Sequence, residues 1–261
     1  MTARLVLVIK REGLAALLDA EPILAALRHA HPGARLDFVT TERFAPLVRR
    51  SPHVDRVLSE VRAAGVDAYD VAYDLDGIDS GLRAAVSASV WIGPQPSAHP
   101  LGGPAMRKLL REAGLIVLHS LPDPDFGGRP ASSPLKGTPF ALLLRDGHWP
   151  ASYWDALAGE IEDSGLLAIE ESDLAALVPL ARTARFFVSD GADAACLALA
   201  SRCPGVLLSG EDASPVVSHA GHDVIRLVSR EARSIEPAFV LQTLRCAGHV
   251  RSADAFARPA D

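Results

Sequence analysis

The strongest constraint on the fold is a repeated alternation of short apolar runs with segments of helical period. Arg4–Ile9 (RLVLVI) is apolar without a break after its first residue. A strand of that kind has both faces covered, as in a parallel sheet flanked by helices. Residues 14–30 follow with Leu14, Leu17, Leu18, Leu24 and Leu27 at helical spacing. Pro22 inside this stretch predicts a kink or a break, because proline removes a helix hydrogen bond and crowds the preceding turn. His31-Pro32-Gly33 supplies a stop signal. Strands are then expected over Leu36–Val39, Val54–Leu58, Tyr69–Leu75 and Ser89–Ile92, with helices over Glu42–Arg50 and Ser80–Ala88. This order favours an open, mostly parallel, doubly wound sheet.

The pattern stops at residues 119–139. Pro122, Pro124, Gly127, Gly128, Pro130, Pro134, Gly137 and Pro139 leave no periodicity there, and the stretch is expected to be an interlobe linker or a surface excursion. A second series follows. It has strands over Phe140–Leu144, Arg185–Val188, Gly205–Leu208 and Val224–Val228, and helices over Ser152–Ser164, Leu174–Arg182, Asp193–Ser201 and Pro237–Cys246. Two Rossmann-like lobes are therefore expected, at 1–118 and 140–248, with 249–261 as a flexible tail. Ligands of such sheets sit outside the carboxyl ends of strands, at the crevice between the lobes. That directs attention to the loops Lys10–Gly13, Asp74–Gly77, Arg145–Trp149, Ser189–Asp193 and Ser209–Ser214.

Composition excludes several classes. Apolar residues make up 49% of the chain and charged ones 22%, so there is enough apolar material for a packed core and disorder is excluded. The net charge is −6 with no Lys/Arg block, which argues against a nucleic-acid partner. Three cysteines (Cys196, Cys203 and Cys246) form neither a disulfide framework nor a zinc signature. The first apolar run is too short for a signal segment or a membrane span, so a cytoplasmic protein is expected. His219 and His222 are spaced as two metal ligands could be, but no third ligand accompanies them; surface histidines are the other reading. Neither a P-loop nor a GxGxxG sequence is present.

Several stretches, taken in order, resemble glycosyltransferase family 9, the ADP-heptose:lipopolysaccharide heptosyltransferases. They are Lys10 with Pro22 twelve residues later, AALRHAHPGARLDFVTTERFAPLVRRSPHVDRVL, Tyr69-Asp70-Val71 through Asp74-Leu75, and Trp91-Ile92-Gly93. In the second lobe they are LLLRDGHWPASYWDALAGEIEDSG and Arg185–Ser209. The resemblance implies a GT-B-like architecture of two lobes facing across a cleft, and inverting, metal-independent sugar transfer with no cofactor. The donor would be a nucleotide-sugar (an ADP-sugar) held by the second lobe. The acceptor would be a glycan or lipid-linked acceptor of the cell envelope, held by the first. Peripheral membrane contact and a partner glycosyltransferase are further implications.

The chain departs from the family at the points where chemistry is done. Inverting transfer needs a base within hydrogen-bond reach of the acceptor hydroxyl. Counting from Pro22 puts Ala15 and Ala16 where the family has Gly-Asp, aligning on Gly13 puts Leu14 after the glycine, and neither supplies the Asp. Glu12 and Asp19 are the nearest carboxylates. Glu12 is the candidate base, or else an exposed residue at a helix start. A diphosphate leaving group needs cations or free amides. Arg145 and His148 are candidates before Trp149-Pro150, with Arg145 open to a surface ion pair with Asp146 instead. Asp190, Gly191 and Ala192 stand in the family's D-T-G position, with Asp190 alternatively capping the following helix and Asp193 placing negative charge in its first turn. Gly210, Glu211 and Asp212 stand for the family's final donor loop. Between Leu167 and Leu174 the chain lacks about two dozen residues of the family pattern, and no strand is expected there. Three functions follow as expectations: a working transferase, a catalytically inactive GT-B-fold binding or assembly partner in polysaccharide or lipopolysaccharide synthesis, or a cleft that binds a nucleotide without transferring sugar.

Overall fold

The structure, a computed structural model, describes residues 3–11, 13–59, 65, 67–77, 82–94, 101–117, 121–128, 135, 137–211 and 224–250. The chain divides into two units, Met1–Pro130 and Ala131–Asp261, each with its own sheet.

In the first unit, strands β1 (Leu5–Ile9), β2 (Arg35–Val39), β3 (Arg56–Leu58), β4 (Ala68–Asp74) and β5 (Ser87–Ile92) form one parallel sheet in the order β3-β2-β1-β4-β5. Val6 to Ile9 are fully buried, as an unbroken apolar run in a central strand requires. The expected first helix is two: α1 (Leu14–Asp19) and α2 (Glu21–Ala30), separated at Ala20. Pro22 lies in the first turn of α2, where a missing amide costs nothing. Leu14, Leu17, Leu18, Leu24 and Leu27 are all buried. Helix α3 (Ala45–Val48) is shorter than expected, and α4 spans Leu82–Ala85.

Helix α5 (Gly103–Glu112) is absent from the reading of the sequence. Gly102-Gly103-Pro104 reads as a turn, yet the proline sits in the helix's opening turn while Met106 and Leu110 bury on one face. The described part of this stretch, Leu121–Gly128, is anchored to the first unit. Asp125 is buried and paired with Arg50, Phe126 is fully buried, and the Asp123 amide donates to Glu21 at 3.4 Å.

In the second unit, β6 (Phe140–Leu144), β7 (Leu167–Glu170), β8 (Phe186–Ser189), β9 (Gly205–Gly210) and β10 (Val224–Ser229) form a second parallel sheet in the order β10-β9-β8-β6-β7. Helices α6 (Ala151–Asp163), α7 (Leu174–Ala181), α8 (Ala192–Ala200) and α9 (Pro237–Cys246) accompany it. Trp154, Leu157 and Ile161 of α6 and Val240, Leu241 and Leu244 of α9 pack with Ala141, Leu143, Val188 and Val206 of the sheet. Strand β7 corrects the expectation of no strand after Leu167: it pairs with β6 from Phe140↔Leu167 to Leu143↔Glu170. As an edge strand exposed at both ends and half-buried between them, it carries no continuous apolar run. Of the expected tail, His249 and Val250 are packed against this core: the His249 ring lies over Phe186 and Val250 is buried. No helix of the described residues is long and apolar enough to cross a membrane.

Candidate functional site

In the second sheet β6 has β7 on one side and β8 on the other, so the connections leave it in opposite directions. The crevice outside the carboxyl ends of β6 and β8 is the topological switch point, where open α/β sheets bind ligands. A cavity of ≈ 380 Å³ lies beside it. Its lining comes from the loop after β6 (His148), the start of α8 (Asp190, Gly191, Ala192), the end of β9 (Leu207 to Gly210) and the turn after β10 (Glu231, Ala232, Arg233). That volume is at the lower end of what a drug-sized ligand occupies.

Asp190 organises this place. Its Oδ1 accepts the Asp146 amide at 2.5 Å, and its Oδ2 accepts the amides of His148 at 2.8 Å and Trp149 at 2.7 Å. The alternative role of helix cap is therefore overturned: Gly191 is the cap of α8, without a side-chain bond, and Asp190 reaches across to the loop after β6. Ser189 Oγ accepts the Gly191 amide at 3.2 Å. Trp149 is held a second time, by its Nε1 donating to the Ile235 carbonyl at 2.7 Å, and it meets Trp154 edge-on. Asp190 thus ties the loop after β6 to the start of α8, and Trp149 ties that loop to the turn after β10. A side chain on Gly191 would collide with that of Asp146. The glycine is therefore required by close approach.

The candidates divide as follows. His148, Asp190, Gly191, Ala192 and Gly210 come together in the cavity wall. Glu211 follows β9 and is not part of the described lining. Glu12, Asp212, His219 and His222 lie outside the described residues. Arg145 is not part of the described lining. It pairs with Glu170 on β7 and with Asp155 at 3.4 Å, and lies over the Trp154 ring. Among the described residues, its partners include neither Asp146 nor a residue of the cavity lining. Glu231 and Arg233 were missed. The rule about strand ends finds them, because they follow β10, but the loops singled out stopped at β9. Arg233 hydrogen-bonds Glu231 and holds its carboxyl below the usual range. Among the described residues no three His, Cys, Asp or Glu side chains group as a metal site would need.

The corresponding crevice of the first unit, between β1 and β4, is filled by the protein itself. Lys10 is fully buried, 3.6 Å from Asp76 and donating to the Leu101 carbonyl at 3.2 Å. Asp76 also accepts the Arg11 amide at 3.0 Å and Arg11 Nε at 2.9 Å, while its own carbonyl accepts the Leu101 amide. Asp19 is occupied too, accepting the Gly103 amide at 3.0 Å. Ala15 and Ala16 lie within α1 and bring no titratable group.

Solved structures of similar fold are known. E. coli heptosyltransferase WaaC with ADP matches with a TM-score of 0.69 at 18% identity, over 94% of this chain and 99% of that one. The fold is that of the heptosyltransferases. E. coli ADP-heptose lps heptosyltransferase II matches with a TM-score of 0.65 at 16% identity, over 92% of this chain and 97% of that one. The glycosyl transferase family 9 protein of Veillonella parvula DSM 2008 matches with a TM-score of 0.64 at 12% identity, over 97% and 91%. No protein-family model matches the sequence, and neither does any curated protein. At these identities the likeness is one of fold: two parallel-sheet α/β units in one chain, GT-B-like.

Proposed function

We propose that this is a glycosyltransferase-like protein that binds the nucleoside end of a nucleotide-sugar in its second unit without transferring the sugar. It would serve in the cytoplasm as a binding or assembly partner of an active transferase in cell-envelope glycan synthesis. The observation that carries this is the cavity beside the switch point of the second sheet, walled by Gly191, the first turn of α8 and the apolar residues Leu207, Leu208 and Ala232. An adenine nucleotide is the first ligand to try, since the solved WaaC structure is one with ADP.

Two features argue for binding over transfer. Neither alignment of the first loop, on Pro22 or on Gly13, supplies the family's Asp, and Arg145 pairs with Glu170 and Asp155. Calorimetry with ADP-, UDP- and GDP-sugars and the matching nucleosides tests the binding. Saturable heat with at least one of them, and no sugar nucleotide consumed over hours, is the expected result. Absence of any binding at millimolar ligand refutes the reading.

The second reading is transfer with Glu12 as base. It is favoured by one observation: Glu12 directly follows Arg11, whose amide and guanidinium are both fixed by Asp76. Release of nucleoside diphosphate from a sugar nucleotide, abolished in Glu12→Gln, would establish it.

A further inference from the structure

Helices α6 and α9 both pack on the core of the second sheet, and the groove between them has a volume of ≈ 570 Å³. It shares no lining residue with the cavity beside the switch point. Tyr153 and Glu236 line it from the starts of the two helices, and Glu160 and Arg245 from nearer their ends. It therefore follows the helices for about 10–13 Å, at 1.5 Å per residue. Leu157 and Leu241 form its floor and are already buried in the core. Its walls include Ala156 and Ala238, both exposed. Small side chains on the rim let another backbone come close, and a helix laid across such a groove packs at about 8–10 Å from its neighbours.

The rim is acidic. Glu160 and Glu236 line the groove, and Asp163 is exposed three residues further along α6. Helix α6 carries Asp155, Glu160, Glu162 and Asp163 and no basic residue. Arg245, the cation of the lining, is held by Glu160 at 3.5 Å. Glu236, toward the other end, has no ion-pair partner among the described residues.

Charge decides between occupants. A second copy of the chain would set these carboxylates against their own kind, and the net charge of −6 opposes it further. An anionic lipid surface is opposed for the same reason. A helix with an apolar stripe, flanked by lysine or arginine, answers both the floor and the rim, and its anchors at i, i+3, i+4 and i+7 span about the length of the groove.

We infer that the groove between α6 and α9 is a docking surface for a basic amphipathic helix of a partner protein. The inference goes beyond the nucleoside reading and gives the assembly role a surface of its own.

The probe is a synthetic helix of about 18 residues with leucine at i, i+3, i+4 and i+7 and lysine elsewhere. Its twin has glutamate in place of lysine. Binding is read by fluorescence anisotropy on the full chain at low salt. The wild type should bind the lysine peptide at least about tenfold more tightly than the twin. Ala156→Trp fills the groove without altering charge and should weaken binding about tenfold. Glu236→Lys should weaken it about fivefold, and added salt should shrink that effect. Glu42→Lys makes the same charge change at an exposed position of the first unit and should stay within about twofold of the wild type. A benzophenone at the centre of the peptide should crosslink to α6 and α9, as read by mass spectrometry.

No binding of the lysine peptide at about 100 μM overturns the inference. Equal losses in Glu236→Lys and Glu42→Lys, or crosslinks confined to other elements, also overturn it. So does a wild-type dimer in sedimentation that Ala156→Trp abolishes, because a second copy is then the occupant. Nucleoside titrations of Ala156→Trp should match the wild type, so this inference and the cavity reading can fail separately. Thermal melting of each variant accompanies the binding curves. Ala238→Trp, on the opposite wall, replaces Ala156→Trp if that variant melts early.

Discussion

Replacing Asp190 by alanine is the sharpest test of how the second unit is held together. The carboxylate is buried and accepts three amides, those of Asp146, His148 and Trp149. Hydrogen bonds to a charged acceptor contribute about 1.5–3 kcal/mol each, and a buried donor left alone costs about 1–3 kcal/mol. The three amides are not equal. Asp146 and His148 lie on an exposed loop where water can take the acceptor's place, whereas Trp149 is buried. The expected loss is therefore about 3–5 kcal/mol, below the sum of three full bonds. With a urea dependence of about 2 kcal/mol per molar for a unit of this size, the midpoint falls by about 1.5–2.5 M.

The assay is tryptophan fluorescence in a Trp91→Phe background. The chain has three tryptophans, and the remaining two, Trp149 and Trp154, both report on the second unit. Asp190→Asn is the partner variant. It keeps the shape but turns a side-chain amide NH2, a donor, toward backbone amides that need an acceptor, so about 2 kcal/mol should still be lost. A loss below about 1 kcal/mol in Asp190→Ala, or a neutral Asp190→Asn, would refute the clamp.

Three further outcomes follow. Gly191→Ala forces a carbon into the Asp146 side chain and should lose about 1–3 kcal/mol by urea melting, with the loss reduced when combined with Asp146→Ala. For Asp55, burial opposes ionisation, but the Leu36 amide and the Arg28 guanidinium outweigh it and hold the carboxyl below its ordinary value. Because the folded value is the lower one, its contribution is present above the unfolded value and is lost as pH falls through the folded one. Asp55→Asn should therefore flatten the acid limb of the first unit's stability curve below about pH 4 and change little in its slope near neutrality. Burial pushes the Cys203 thiol up to about 12, Cys196 is buried and Cys246 is exposed. A thiol reagent at pH 8 should accordingly label one cysteine of the native protein, Cys246, and all three in denaturant, counted by mass spectrometry.

Much of the architecture was legible before any coordinates. Runs such as FALLL and RLVLVI are unbroken because central strands of parallel sheets are covered on both faces, and that signature is local. The break near Pro22 was legible for the same reason, since a missing amide acts on its own turn. What escaped was whatever lacked a local signature. Strand β7 lies at a sheet edge, half-exposed, and α5 begins in a Gly-Gly-Pro that looks like a turn.

The site divides along the same line. That ligand chemistry belongs after β6 and β8 follows from the order of strands and helices along the chain, and the residues after those strands were found. What each does was decided by partners far away in sequence. Asp190 could have capped its own helix, and only the fold brings the amides of residues 146, 148 and 149 within its reach. Arg145 could have faced a phosphate or Asp146; its partner proved to be Glu170, on the very strand the sequence did not reveal. Periodicity and proline report on a residue's own neighbours. A charged side chain settles on whichever opposite charge or free amide the tertiary structure brings closest, and that choice is made only once the sheets have formed.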